Sequence, residues 1–226
     1  SLATIGDGHV KKYLHSLLSD SGDERSVDAL TDSVLHALWP GNLSTIQMFK
    51  YLNHLKWPIE DITFYFFDWK MPEKLSIEDF PIALNWLGNN IKDHFRLYRF
   101  RRLSDKIIRR AFDHFDHPEI FESLISCFCS FVKNHQPLLN QEKKQTEVSP
   151  WFDDTVKRQQ FARSVIETLQ LTPDEEDRLI FTWPYLIRTE DFEWCVEELE
   201  KTCTTPSEEI WAEIVLTLFH REYTAT

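Results

Sequence analysis

Glycine is scarce in this chain, 5 of 226 residues. A β-barrel rich in tight turns, or a set of βα loops, consumes far more, because only glycine enters left-handed backbone without steric cost. The five are followed by Asp7, His9, Asp23, Asn42 and Asn89, never by lysine, so the Gly-Lys-Ser/Thr core of a P-loop cannot form. A GxSxG elbow, an HExxH helix, an EF-hand loop and a dinucleotide fingerprint are also missing from the sequence. No catalytic residue is therefore assigned, no cofactor or metal is expected, and the chain reads as a non-enzyme. No apolar run approaches the roughly 20 residues of a membrane span, and the opening SLATIGDGHV has no signal-peptide core. A cytoplasmic chain without membrane partners is expected. Positive charge is in the minority, with 25 Lys+Arg against 37 Asp+Glu and a net charge of -12, which argues against a dedicated binder of nucleic acid or anionic membrane as a whole. The four cysteines (Cys127, Cys129, Cys195, Cys203) form neither a CxxC pair nor a disulfide framework and read as reduced core thiols.

What the chain does contain is core material, 42% hydrophobic and 14% aromatic, arranged at helical spacing. Val27, Leu30, Val34 and Leu38 make one stripe, stopped at Trp39 because Pro40 disfavours helical backbone in the residue before it. Ser44 caps a helix carrying Ile46, Phe49 and Leu52, and the segment 59–69 reads as a buried helix. Ser76 starts another, ending at a left-handed stop near Gly88-Asn89-Asn90. Residues 92–116 make one long or two abutting helices with a break at Ser104, and Pro118 opens a helix whose face is Phe121, Leu124, Ile125, Phe128 and Val132. After the proline-bracketed stretch 137–150 come helices from Asp153, Thr172-Pro173, Thr189 and Thr205-Pro206, the last displaying Ile210, Ile214, Val215, Leu218 and Phe219. The segment Leu75-Ser76-Ile77-Glu78-Asp79-Phe80, with Leu87 beyond, aligns with Ile187-Arg188-Thr189-Glu190-Asp191-Phe192 and Leu199, and Trp39-Pro40 with Trp183-Pro184. Such repetition predicts an all-α solenoid of about ten to eleven short antiparallel helices: repeats over 1–135, a loop or hinge over 136–152, and repeats over 153–226. The start at Ser1, and a last apolar helix without a polar capping repeat, lead us to expect a piece of a longer protein.

The stretches ALWPGNLSTIQMFKYL, LSIEDFPIALNWL and TWPYLIRTEDFEWCVEELE followed by IWAEIVLTLF resemble the HEAT-like helical region on the C-terminal side of large bacterial NTPases of the STAND class that carry a NACHT module. The resemblance runs from about Ala37 to Phe219 and rests on packing and capping residues. It implies a right-handed stack of helix pairs serving as a non-catalytic scaffold or sensor in signalling or antiphage defence. The partners it implies are a protein trigger and the other domains of the same larger protein. It carries over no catalytic residue.

The feature most like a site is the run HFRLYRFRRLSDKIIRR. Residues 92–110 hold eight bases and two acids, net +6, with Phe95, Tyr98 and Phe100 interleaved. Arginine dominates, and its planar fork suits phosphate or carboxylate, so Arg96, Arg99, Arg101, Arg102, Arg109 and Arg110 are the candidate surface for an anionic ligand or acidic partner. Nucleic-acid binding through the same patch is the alternative function. The competing reading is a solvated helix face whose arginines pair with neighbouring acids. Residues 172–213 have the opposite bias, thirteen acids and three bases, much of it in first helical turns where the dipole favours it. Asp113 and His117 are four apart, but zinc needs three or four ligands and no second His/Cys cluster accompanies them, so His117 is placed at a helix C-terminus rather than on a metal. Of the eight tryptophans, Trp57 and Trp151 lie beside loop-like residues and are the candidates for exposed contacts, the others for core.

Overall fold

The computed structural model describes residues 36, 38–41, 43–54, 70–90, 101–134, 153–169, 186–202 and 208–224. Among them the protein is all-α, without a strand. Eight α-helices are described: α1 (Thr45–His54), α2 (Met71–Lys74), α3 (Phe80–Asn90), α4 (Arg101–Asp113), α5 (Pro118–Lys133), α6 (Thr155–Leu169), α7 (Phe192–Thr202) and α8 (Glu208–Thr224). Single 3-10 turns, Ile77–Asp79 and Thr189–Asp191, lead into α3 and α7. This is fewer than ten or eleven. The expected helices through Val27, over 59–69 and from Thr172 fall outside the described residues, as do the hinge loop 137–150, Trp183-Pro184, Trp57, Trp151 and Cys203.

The helix starts follow local chemistry. Ser44 and Gln47 form a capping box, Ser44 Oγ accepting from the Gln47 N–H at 3.2 Å and Gln47 Oε1 from the Ser44 N–H at 3.0 Å. Asp154 does the same work for α6, its Oδ1 accepting from the Lys157 N–H at 3.1 Å. Pro118 opens α5, where its missing N–H has no intrahelical partner to lose. Around α5 the structure is densest: it packs on α3, α4 and α6, and Ile120, Leu124, Ile125, Cys127, Phe128, Cys129, Phe131 and Val132 are all buried. Phe161 of α6 sits in a ring of aromatics, with centroids 5.5 Å from Phe112, 6.2 Å from Phe115, 6.2 Å from Phe121 and 5.6 Å from Phe128. One contiguous core runs from Leu38 to Leu218.

The aligned segments fold into the same device. In each, the aspartate at the end of the 3-10 turn reaches back to the N–H three residues earlier, Asp79 to Ser76 at 3.1 Å and Asp191 to Arg188 at 2.9 Å, and a phenylalanine opens an eleven-residue helix. The likeness extends further than the aligned segments. With Thr45 set on Thr155, Ile46 and Val156 are both exposed, Met48 and Arg158 both buried, and Leu52 and Ala162 both buried. The helices are cross-linked at two levels. Asp79 accepts from the Thr45 hydroxyl at 2.5 Å where Asp191 accepts from Arg158, and Trp86 donates to Asn53 at 2.8 Å where Glu198 accepts from Arg163. A third equivalence escaped the sequence reading. Glu119-Ile120-Phe121, Leu124 and Phe128 of α5 match Glu209-Ile210-Trp211, Ile214 and Leu218 of α8, and among the described residues α3–α5 and α7–α8 are the two most extensively packed helix pairs.

Several local expectations are corrected. Gly88 is inside α3 and no described glycine has positive φ. Its role is close approach, since a Cβ there would lie 3.3 Å from Ser130 Oγ and 3.5 Å from Cys127 Cα. Ser104 does not break α4; it is buried inside a continuous helix. The residue ahead of the second 3-10 turn is Arg188 rather than a Ser/Thr cap, because Asp191 supplies the capping acceptor itself. His117 precedes α5 instead of ending α4, which stops at Asp113. Ile46 and Phe219, expected on buried stripes, are exposed, at 51% and 45%.

Gly88 yields a direct test. Gly88→Ala should leave stability within about 1 kcal/mol, because the helix-propensity gain offsets a contact that Ser130 can relax by a few tenths of an ångström. Gly88→Val should cost about 1–3 kcal/mol by pushing α3 off the α5 backbone. Urea unfolding of the pair measures this; a Val variant as stable as the parent would refute the close-approach role.

Candidate functional site

The basic patch is only partly in view. Arg96 and Arg99 lie outside the described residues, and Arg101 and Arg102 form the first turn of α4 with side chains outside the described set. Arg109 and Arg110 occupy its C-terminal turns, where cations meet the negative end of the dipole, and both are half-buried. The opposite face of α4, Leu103, Ile107, Ile108, Ala111 and Phe112, is buried in the core. Arg110 is engaged within the chain: Nη1 donates to the Pro72 carbonyl oxygen and the guanidinium lies 5.4 Å from the Phe80 ring centroid. It ties α4 to α2 and to the start of α3, and its fork is partly spent.

Asp113 and His117 are exposed, and His114 between them packs on the Phe80 ring at 5.4 Å. Among the described residues no group of three or more His, Cys, Asp or Glu is placed to hold a metal. Cys127, Cys129 and Cys195 are buried, unpaired by disulfide, and each thiol is pushed up to about 12 by burial, so none is poised as a thiolate nucleophile.

Among the described residues the most constrained polar cluster joins α6 to α7, and it was missed in the sequence. Arg158 and Asp191 are each 1% exposed and make a two-pronged pair, Nε to Oδ2 at 3.0 Å and Nη2 to Oδ1 at 2.9 Å. Gln159 adds a bond to Oδ1 at 3.1 Å, and the Arg188 N–H fills Oδ2, so the carboxylate is saturated. One turn and a half further along α6, Arg163 grips Glu198 with two bonds of 2.7 Å, and Lys201 adds a third at 3.0 Å. Burial alone would push Glu198 up, but the hydrogen bonds and charges of Arg163 and Lys201 together hold it below its ordinary 4.5. A readable signal existed for Arg158. It stands on the stripe Phe161, Ala162, Val165, Ile166, Leu169, and a charge on a buried face requires a buried counter-charge. Which of 37 acids supplies it is a question of tertiary structure.

No family model, curated protein or solved structure matches this chain. The site is therefore read from geometry. The buried, saturated Arg158–Asp191 pair and the half-exposed Arg163–Glu198 pair both hold α6 to α7 in register.

The pH dependence follows from the sign of the Glu198 shift. A carboxylate held below 4.5 in the folded state contributes stability that is complete above about pH 4.5 and is lost as pH falls through the lower folded value. Glu198→Gln should cost about 1 kcal/mol at neutral pH, the modest figure reflecting an Arg163 side chain 41% exposed to screening solvent. The difference between variant and parent should shrink as pH falls below about 4.5. Urea midpoints across that range check it; a pH-independent difference would rule out the ion-pair origin.

Proposed function

We propose that this chain is a non-catalytic helical-repeat scaffold that binds a protein partner along its surface, as the HEAT-like, right-handed sensing segment of a larger cytoplasmic signalling or antiphage-defence NTPase of bacteria. The observation that carries the scaffold reading is the repeated unit: a capped first helix, a 3-10 turn closed by Asp79 or Asp191, and an eleven-residue helix cross-linked back at two levels. Units of this kind cannot bury their apolar faces alone, and stacking them yields elongated surfaces suited to partners rather than enclosed reaction chambers. No described helix is long and apolar enough to cross a membrane. The NTPase context rests on the three stretches of resemblance.

Nucleic-acid binding through Arg96 to Arg110 is weakened by the commitment of Arg110 to the Pro72 carbonyl. Steep loss of partner affinity with added salt would favour it.

The scaffold reading expects no heat on titrating this chain with magnesium-ATP, and a P-loop module encoded upstream of it in the gene. Micromolar ATP binding by residues 1–226 would overturn the non-catalytic assignment, and flanking coding sequence without an NTPase module would remove the NTPase context.

A further inference from the structure

Three neighbouring helices carry the same polar device at matching heights. Helices α3, α5 and α6 run in one direction: His114, just ahead of α5, meets Phe80 at the start of α3, and Gly88 near the end of α3 meets Cys127 and Ser130 in the second half of α5. Lys157 at the start of α6 likewise pairs with Asp116, and the Cys129 thiol reaches the Val165 carbonyl. On each helix two short, uncharged polar residues stand four apart and are tied to each other. The Asn89 amide donates to Asn85 Oδ1 at 2.7 Å, the Ser130 hydroxyl to the Ser126 carbonyl at 3.0 Å and the Thr168 hydroxyl to the Ser164 carbonyl at 2.7 Å. All six are exposed or half-buried, on the sides of their helices away from the core. A chain with 27% charged residues thus lays an uncharged band across three helices.

The band crosses a groove. Gly88 brings α3 and α5 into close approach, whereas between α5 and α6 lies a groove of about 420 Å³, floored by Ile125 and Cys129 and bordered by Ser126, Ser130 and Thr168. Hydroxyl protons spent on backbone carbonyls leave the oxygen lone pairs as acceptors. The Ser126 and Ser164 hydroxyls and the Asn85 amide N–H have no partner among the described residues.

We infer that this band seats an extended, basic peptide segment of a protein partner, laid across α3, α5 and α6 with one apolar side chain in the groove. The inference deepens the scaffold reading by naming its binding surface, and it rests on that reading. Uncharged hydrogen-bonding stations suit an extended backbone, which offers an N–H and a C=O at every residue; a docked helix has already spent both. Spacing agrees. Packed helices lie roughly 8–10 Å apart and an extended chain rises about 3.3 Å per residue, so a station recurs at about every third residue and the band takes about seven. Ile125 and Cys129 supply the apolar seat between the stations of α5 and α6. Charge selects the flanks. Glu122 and Glu167 are exposed beside the band, against Lys133, in a chain of net charge -12, so a lysine or arginine next to the apolar anchor finds a carboxylate.

The probe is a phage-displayed library of random linear heptapeptides selected on the immobilised 226-residue chain. Enriched sequences are synthesised with a fluorophore and titrated by anisotropy. They are expected to share a large apolar residue flanked by a base and to bind with dissociation constants on the order of micromolar. Ser126→Arg lays a long side chain over the groove; it should weaken binding about tenfold or more and leave the melting curve unchanged, because position 126 is exposed. Asn85→Ala, on a different helix, should weaken it about threefold through one lost hydrogen bond. N-methylation of single backbone amides of the peptide should weaken binding about tenfold at the amides that face the band. The absence of any enriched peptide, equal binding to the Ser126→Arg chain, or indifference to N-methylation at every amide overturns the inference. Peptides that turn helical on binding, seen by circular dichroism, would put an amphipathic helix in the groove and overturn it equally. A failed selection without ATP binding leaves the scaffold reading standing, whereas ATP binding removes that reading whatever the peptides do.

Discussion

Asp191→Ala is expected to lower the unfolding free energy by about 3–5 kcal/mol, a large part of what a domain of this size possesses. The residue is 1% exposed and its two oxygens hold Arg158, Gln159 and the Arg188 N–H, so removing it takes the two-pronged partner from a guanidinium that is itself 1% exposed and leaves the longer ion pair to Glu190 at 3.7 Å. A loss of similar order is expected of Arg158→Met, which removes the buried carboxylate's counter-charge and leaves it the Gln159 amide and the Arg188 N–H. Met is the informative replacement because Met48 fills the equivalent buried position of α1. The double variant Arg158→Met with Asp191→Asn removes both charges but keeps a carbonyl oxygen to accept from the Arg188 N–H. Its loss should fall short of the sum of the singles by about 2 kcal/mol. Urea unfolding of the parent, Arg158→Met, Asp191→Asn and the double variant gives the cycle. Singles within 1 kcal/mol of the parent would mean that the pair is not buried in solution.

Phe161→Ala should cost about 3–5 kcal/mol by a different route. No charge is involved; the ring is fully buried and edge-on to Phe112 and Phe128, with Phe115 and Phe121 beyond. Four rings on α4, on the turn after it and on α5 lose their common neighbour, and helices already tight against each other cannot close the space fully. Phe161→Leu keeps much of the volume and should cost roughly half as much. The melting temperature should follow the same order, and equal losses for both variants would argue for a backbone change rather than a cavity.

Where a residue's role is local, the sequence displayed it. Ser44 with Gln47, and Pro118 at the head of α5, announce helix starts through bonds made within one turn. The pairing of Asp79-Phe80 with Asp191-Phe192 was legible for the same reason, since the capping bond spans three residues. Roles set by distant chain segments were not. Gly88 looks like a helix stop until Ser130 and Cys127 are brought against it. Ser104 reads as a break because its sequence neighbours give no sign that the position is buried. Arg110 looks free until the Pro72 carbonyl comes within reach, 38 residues away in the chain. Of the candidate surface, the charge was readable and the commitments of that charge were not.

The two crossbars under α3 and α7 differ chemically, a hydroxyl on Asp79 in one unit and a guanidinium on Asp191 in the other. Near-identical repeats risk exchanging partners while they fold, each first helix docking on the other unit's second helix. Here the exchange is asymmetric. If α1 docked beside Asp191, Met48 would stand where Arg158 does, and the buried carboxylate would receive the Thr45 hydroxyl in place of its counter-charge, a mistake costing about 1–3 kcal/mol. The crossbars thus act as a lock and key between siblings, and a chain in which both carried Thr and Met would be expected to refold with a larger swapped fraction.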